Sequence, residues 1–252
     1  MTKSCDISDP ALRILAAGSL RAVLLAHATE HQPLDLAFGG AGLLRERIER
    51  GERCDLFLSA DLANPRALAA RIPGATVKQF IGNRIVVVAR ADVGLRTDNF
   101  IDRLLDPAVR IGTATPGTDP GGDWAIELFR RAGQIHPGAA AILTAKAMHL
   151  AGGREPSPLP TGSHPVAHLL SIHAADVFVC YRSMTLDLGS EFDVVAPPAA
   201  MQVVARYGLV VLASDPRRRA VASEFANALT TPAWQAHFSA HGFDRLPQIS
   251  SD

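Results

Sequence analysis

Residues 34–59 read LDLAFGGAGLLRERIERGERCDLFLS, and the fold can be read from this stretch. Residues 34–38 form an apolar run of strand length, Gly39, Gly40, Ala41 and Gly42 make a small-residue turn, a charged helical segment follows through Arg50, and 56–59 is a second apolar strand. Strand, helix and strand in that order describe two parallel strands with a helix crossing between them. The pattern continues on both sides. Residues 12–17 are a strand, followed by a helix whose apolar face is Leu20, Val23, Leu24 and His27; after 56–59 comes a helix broken early by Pro65. Residues 85–89 are a continuous apolar strand, and the polar stretch 90–100 suits a crossing into a second lobe.

A second series begins with a strand at 109–113, the turn 115–122 and a helix over 123–132. Residues 151–162 hold three prolines and three glycines and read as a long loop. A helix at 165–173, strands at 177–181, 194–196 and 208–213, and closing helices at 217–229 and 232–241 complete an α/β chain.

Composition narrows the function. The 252 residues carry 25 Lys and Arg against 25 Asp and Glu, so no net field attracts a nucleic-acid backbone. Aromatics are 6% of the chain, too few for a face that stacks bases or sugars. The apolar stretch 12–28 is interrupted by Arg13 and Arg21, each costing about 2.5–3.5 kcal/mol at a bilayer centre, so it does not span a membrane. It lacks the features of a signal peptide, which leaves a cytoplasmic chain or one whose leader has been removed. Cys5, Cys54 and Cys180 have neither metal-ligand nor redox spacing and are expected as free thiols.

Small residues gather just ahead of helices at four places: Gly18 and Ser19; Gly40, Ala41 and Gly42; Pro120, Gly121 and Gly122; Gly162 and Ser163. A helix start presents unpaired N–H groups and about half a positive charge. Several starts meeting at one crevice would hold an anion without any Lys or Arg, and Ser19 and Ser163 add hydroxyl donors.

The order LAAGSL, FGGAGLLRERIERGERCDLFLSAD, GNRIVVVAR, GTATPGTDPGG, ADVFVCY, YGLVVL, FSAHGF resembles the periplasmic molybdate-binding proteins of ABC importers over residues 12–243. The resemblance implies a two-lobed Venus flytrap of the type II periplasmic-binding class, each lobe a mixed, mostly parallel sheet flanked by helices. Its lobes would comprise 1–89 with 206–252, and 90–205, with a two-segment hinge near Arg90 and Arg206. It implies a periplasmic protein, monomeric and not an enzyme, that holds molybdate or tungstate between the lobes and delivers it to importer membrane subunits, with no cofactor and no resident metal.

By the same resemblance, Ser19 is the first binding serine, Ala41 stands where a second serine is usual, Gly121 and Ser163 offer backbone N–H groups, and Tyr181 supplies a hydroxyl. Ala41 lacks the hydroxyl of that second serine, while Asp119 and Asp123 flank the second-lobe loop and would repel a dianion unless paired, with Arg182 as the available partner.

Two other roles fit parts of the chain. A cytoplasmic ligand-sensing module would keep the same fold. A metal hydrolase would use His27, Glu30 and His31, an inverted zinc-hydrolase spacing, but His27 continues the apolar stripe of its helix and reads as a core histidine. The loop 117–122 has Asp123 where a phosphate loop needs Lys, and no nucleophile-elbow motif surrounds Ser19.

Overall fold

The computed structural model describes residues 11–30, 34–155, 160 and 163–245; Cys5, His31 and Gly162 lie outside them. The chain runs β1 (Leu12–Ala17), α1 (Arg21–Glu30), β2 (Leu34–Gly39), α2 (Ala41–Glu49), β3 (Leu56–Ser59), α3 (Ala63–Ala69) and β4 (Val77–Arg90). It continues through α4 (Phe100–Leu105), β5 (Ile111–Ala114), α5 (Pro120–Ile135), α6 (Ala139–Lys146), β6 (Ala147–Ala151), α7 (Pro165–Ser171), β7 (Val177–Tyr181) and β8 (Phe192–Val195), then β9 (Val204–Val211), α8 (Pro216–Ala228) and α9 (Pro232–Ala240).

The strands lie in the order β2-β1-β3-β9-β4-β7-β5-β6, with β8 beside β4. Each half repeats one plan. In the first, β1 pairs in parallel with β2 and β3; in the second, β5 pairs in parallel with β6 and β7. The antiparallel pairings all involve β4 or β9, the strands that carry the chain between halves. Within β4, residues 77–84 pair with β9, whereas 85–90 pair with β7 and β8, so one strand changes neighbours at Arg84 and Ile85. The return passes through 196–203, between β8 and β9. The expected boundaries at 89/90 and 205/206 fall at the far end of β4 and inside β9.

A hydrophobic cluster including Ile14, Leu58, Phe80, Phe129, Val179 and Tyr207 runs through both halves. It presents the C-terminal ends of β1, β3, β5 and β7, and the helix starts after them, to one crevice, where open α/β sheets bind ligands. Cys54 and Cys180 are buried free thiols, each pushed up to about 12 by burial, so neither is a reactive thiolate at neutral pH.

His27 packs its ring 4.4 Å from that of Trp234, as a core residue does. Among the described residues, no group of three or more His, Cys, Asp or Glu is arranged to hold a metal ion.

Candidate functional site

At the end of β1 the chain turns through Gly18, Ser19 and Leu20 into α1. The Ser19 hydroxyl meets the Tyr207 hydroxyl at 2.7 Å. Tyr207 lies on β9 with no exposed surface and also accepts from Asn83 Nδ2 at 3.2 Å. Asn83, on β4, donates to the Ser183 hydroxyl at 2.8 Å and accepts from the Ser183 N–H at 3.3 Å. A chain of neutral polar groups therefore runs from the first half-sheet into the segment after β7. Such buried chains are fixed in geometry because each member would be costly to leave unpaired.

Tyr181 ends β7 beside this chain, its ring edge-on to Tyr207 at 5.8 Å. It is 5% exposed, and among the described residues its hydroxyl makes no hydrogen bond of normal length, although the Tyr207 hydroxyl is near enough to act on it. Buried tyrosine hydroxyls are normally bonded, so one without a bond calls for an explanation. Burial, followed by the charges around it, pushes the Tyr181 phenol well above its ordinary value, so it is a neutral donor. Burial raises Tyr207 too, against the hydrogen bonds from Ser19 and Asn83, which lower it.

Gly121 brings the second half to this point. A Cβ there would sit 3.4 Å from Tyr181 Cε2. Ser19, Tyr207, Tyr181 and Gly121 therefore adjoin one another in the crevice. The Gly121 N–H is not open: Asp119 caps α5 by accepting it on Oδ1 at 2.8 Å.

The start of α2 is engaged too. The N–H groups of Gly42 and Leu43 both donate to the Thr118 carbonyl, at 3.0 and 3.3 Å. Glycine is required for this approach, since a Cβ on Gly40 would meet the Thr118 oxygen at 2.5 Å and one on Gly42 the Gly117 oxygen at 2.2 Å. Ala41 adjoins the crevice by its backbone, but its side chain is fully buried in a cluster with Leu15, Leu44 and Phe57. Ser163 is not brought to this group by any described contact; its N–H donates to the Pro160 carbonyl at 3.0 Å in a local turn.

Two further contacts tie the lobes together. Trp124 Nε1 donates to the Ala60 carbonyl at 3.0 Å, and Arg154 reaches Glu46 with two bonds of 2.8 and 2.6 Å.

The crevice charge is negative. Asp123 accepts the Gly117 N–H at 3.0 Å, and Asp61 holds Asn64 through its backbone and side chain at 2.8 and 2.6 Å. Burial, then the charges of Asp123 and Asp61, raises the Asp119 carboxyl; burial, then Asp61, raises that of Asp123. Arg182, a candidate partner for these carboxylates that also reads as a solvated surface arginine, is half-exposed and faces Asp244 at 3.8 Å, because the turn after β7 carries its side chain towards the segment after α9.

Sequence reading did not assign roles to Tyr207, Asn83, Ser183, Asp61 or Thr118. Tyr207 and Asn83 stand inside motifs it used, YGLVVL and GNRIVVVAR, but hydroxyl and amide contacts 100 or more residues apart leave no local signal.

Fold and crevice together define a two-lobed binding protein of the type II periplasmic-binding class. The chain belongs to the bacterial extracellular solute-binding proteins, whose family profile matches residues 12–244. It is 36% identical over 215 residues to the uncharacterized protein PM1146 of Pasteurella multocida, covering 82% of this chain and 89% of that one. Its fold is similar to that of the Azotobacter vinelandii periplasmic molybdate-binding protein, with 21% identity, TM-score 0.69, and coverage of 94% of this chain and 100% of that one. The sulfate-binding protein SubI of Mycobacterium tuberculosis matches at 18% identity and TM-score 0.71, over 94% and 88% of the two chains. Among the described residues, no helix is long and apolar enough to cross a membrane.

Proposed function

We propose that this protein captures a small tetrahedral oxyanion of the molybdate or tungstate class and delivers it, in the periplasm, to the membrane subunits of an ABC importer. The observation that carries the reading is the buried Tyr181 hydroxyl, which makes no hydrogen bond of normal length among the described residues, beside Ser19, Tyr207 and two helix starts. Neutral donors hold an anion by aligned dipoles and hydrogen bonds, and they fix its size because their positions are set by the sheet. The structural relatives named for molybdate and sulfate binding support the same ligand class.

The linking segments lie where β4 changes partners, between 84 and 85, and at 196–203, so one lobe holds the residues up to 84 with those from 204 onward, the other holds 85–195, and the two open about these segments. Opening parts Gly42 and Leu43 from the Thr118 carbonyl, because donors and acceptor belong to different lobes. Those two N–H groups are then free to meet an anion, with Tyr181 and Ser19 closing on its other sides.

Titration calorimetry of dialysed protein with molybdate, tungstate, sulfate and phosphate, from about pH 6 to about pH 8, tests the reading. Binding of at least one anion is expected. At about 100 times its Kd, that anion raises stability by about 2.7 kcal/mol, which a thermal-shift assay detects. Absence of heat with all four, throughout the range, overturns the reading.

A further inference from the structure

The α5 start should be the second lobe's contribution to an anion site, yet its donor is already occupied by the protein's own carboxylate. Asp119 Oδ1 accepts the Gly121 N–H at 2.8 Å, beside Tyr181. Asp119 is also enclosed on other sides. A Cβ on Gly40, at the start of α2, would lie 3.2 Å from Asp119 Cβ, and one on Gly152 would lie 2.7 Å from Asp119 Oδ2. The preceding residue, Thr118, supplies the carbonyl that takes the two donors of α2. Two adjacent residues thus fill the donors of both lobes with oxygen atoms of the chain itself.

From this we infer that Asp119 is the residue that sets anion affinity, acting as an internal competitor for the α5 donor that yields to the ligand on taking up one proton. The inference rests on the oxyanion reading above and adds how that site is controlled. A charged Asp119 repels an arriving dianion and keeps the Gly121 N–H. A protonated Asp119 loses the repulsion and holds that N–H weakly, since a charged acceptor bonds about twice as strongly as a neutral one.

The groups facing Asp119 make the proton easy to take up. From α5 comes Asp123, from the turn after β3 Asp61, from β7 Tyr181 and from β9 Tyr207; the charges acting on Asp119 are carboxylates, and burial favours its neutral form further. Proton uptake linked to binding makes affinity fall as pH rises, by up to about tenfold per pH unit where Asp119 is charged in the free protein.

The test uses the same four anions from about pH 6 to about pH 9, with calorimetry in two buffers of different ionisation enthalpy to count protons. The wild-type protein is expected to take up about one proton per anion at the alkaline end and to bind about tenfold more weakly per unit of pH there. Asp119→Asn removes the charge while keeping a helix cap, so its binding is expected to be at least about tenfold tighter at the alkaline end, with no linked proton. Asp119→Gly leaves Gly121 uncovered and serves if the amide variant does not fold.

Asp123→Asn, which removes a neighbouring charge without touching Gly121, is expected to gain less and to keep the linked proton. Equal gains in the Asp119 and Asp123 variants, or wild-type binding without proton uptake across the range, overturn the inference and leave the oxyanion reading standing. No binding of any anion by any variant removes both.

Discussion

Two sets of aspartates, one ahead of β3 and β7 and the other at the start of α5 after β5, are treated in opposite ways. Asp55 and Asp176 stand immediately before β3 and β7, corresponding strands of the two lobes. Asp55 takes the Arg13 N–H at 2.8 Å and the Arg218 guanidinium through two bonds, one of 2.9 Å from Nε. Asp176 takes the Arg110 N–H at 2.8 Å, the Arg110 guanidinium at 2.9 and 2.8 Å, and Arg90 at 2.9 Å. Burial alone would raise the Asp55 carboxyl, but Arg218 and the Arg13 N–H outweigh it and hold it low; Arg110 and its N–H hold Asp176 down at about 2. At the crevice end, Asp119 and Asp123 accept one backbone N–H each, and with no arginine to offset desolvation and the neighbouring carboxylates they are raised instead. Arginines cluster at the starts of β3 and β7, whereas among the described residues none pairs with Asp119 or Asp123. Paired carboxylates stabilise; unpaired ones respond to protons and ligands.

The largest effect that could break this contrast is expected from Asp55→Ala. Its carboxylate is 4% exposed, and removing it strips Arg218, 17% exposed, of that partner. Urea unfolding should show a loss of about 3 kcal/mol or more, within the range for one half of a buried pair. A loss below about 1 kcal/mol would show the pair to be an ordinary surface contact.

Acid dependence sharpens the same contrast. The depressed Asp176 contributes about 2 kcal/mol above the ordinary carboxylate value, and this is lost as pH falls from about 4 to about 2. Asp119, raised, has the opposite sign: its charge costs stability at high pH, and the cost disappears as pH falls to the ordinary carboxylate value. In urea melts across pH, Asp176→Asn should therefore destabilise at neutral pH and Asp119→Asn should stabilise. The same sign for both would abolish the distinction between the two sets.

A further effect separates binding from folding. Tyr181→Phe should weaken anion binding by about 1.5–3 kcal/mol, the worth of a hydrogen bond to a charged group, without lowering stability, because the hydroxyl makes no hydrogen bond of normal length among the described residues. Calorimetry and thermal melts on one sample decide this; unchanged affinity would remove Tyr181 from the site.

The smallest effect is expected at Glu46→Gln. It breaks the bidentate contact with Arg154, whose side chain is 59% exposed, and the melting curve should not move measurably. A clear downward shift would make this bridge a structural fastening between the lobes.

Local sequence located the strands that are buried without interruption. Leu12–Ala17, Leu56–Ser59 and Val177–Tyr181 emerge at the expected residues, because each is a mostly apolar run bounded by turns or charges, with Arg13 the one charge inside them. The expected strand at 85–89 is only the second half of β4. Lys78, Gln79, Asn83 and Arg84 break up the apolar pattern of the first half, which becomes a strand through pairing with β9. β6 escaped for a related reason: Ala147–Ala151 is partly exposed at the sheet edge, with no alternation to reveal it. α4 and α6 also went unassigned, being short segments whose packing against each other and α5 gives them stability that propensity alone does not.

Sequence by itself determined the α/β alternation, the apolar strands and the gathering of small residues at helix starts, because periodicity and chain flexibility are local properties. Tertiary structure alone decided which helix starts meet, that Thr118 and Asp119 fill their donors, and that Arg182 turns to Asp244 while Asp119 has no cation beside it among the described residues. Those outcomes depend on distances between residues far apart in the chain, and on burial, which makes an unpaired charge costly.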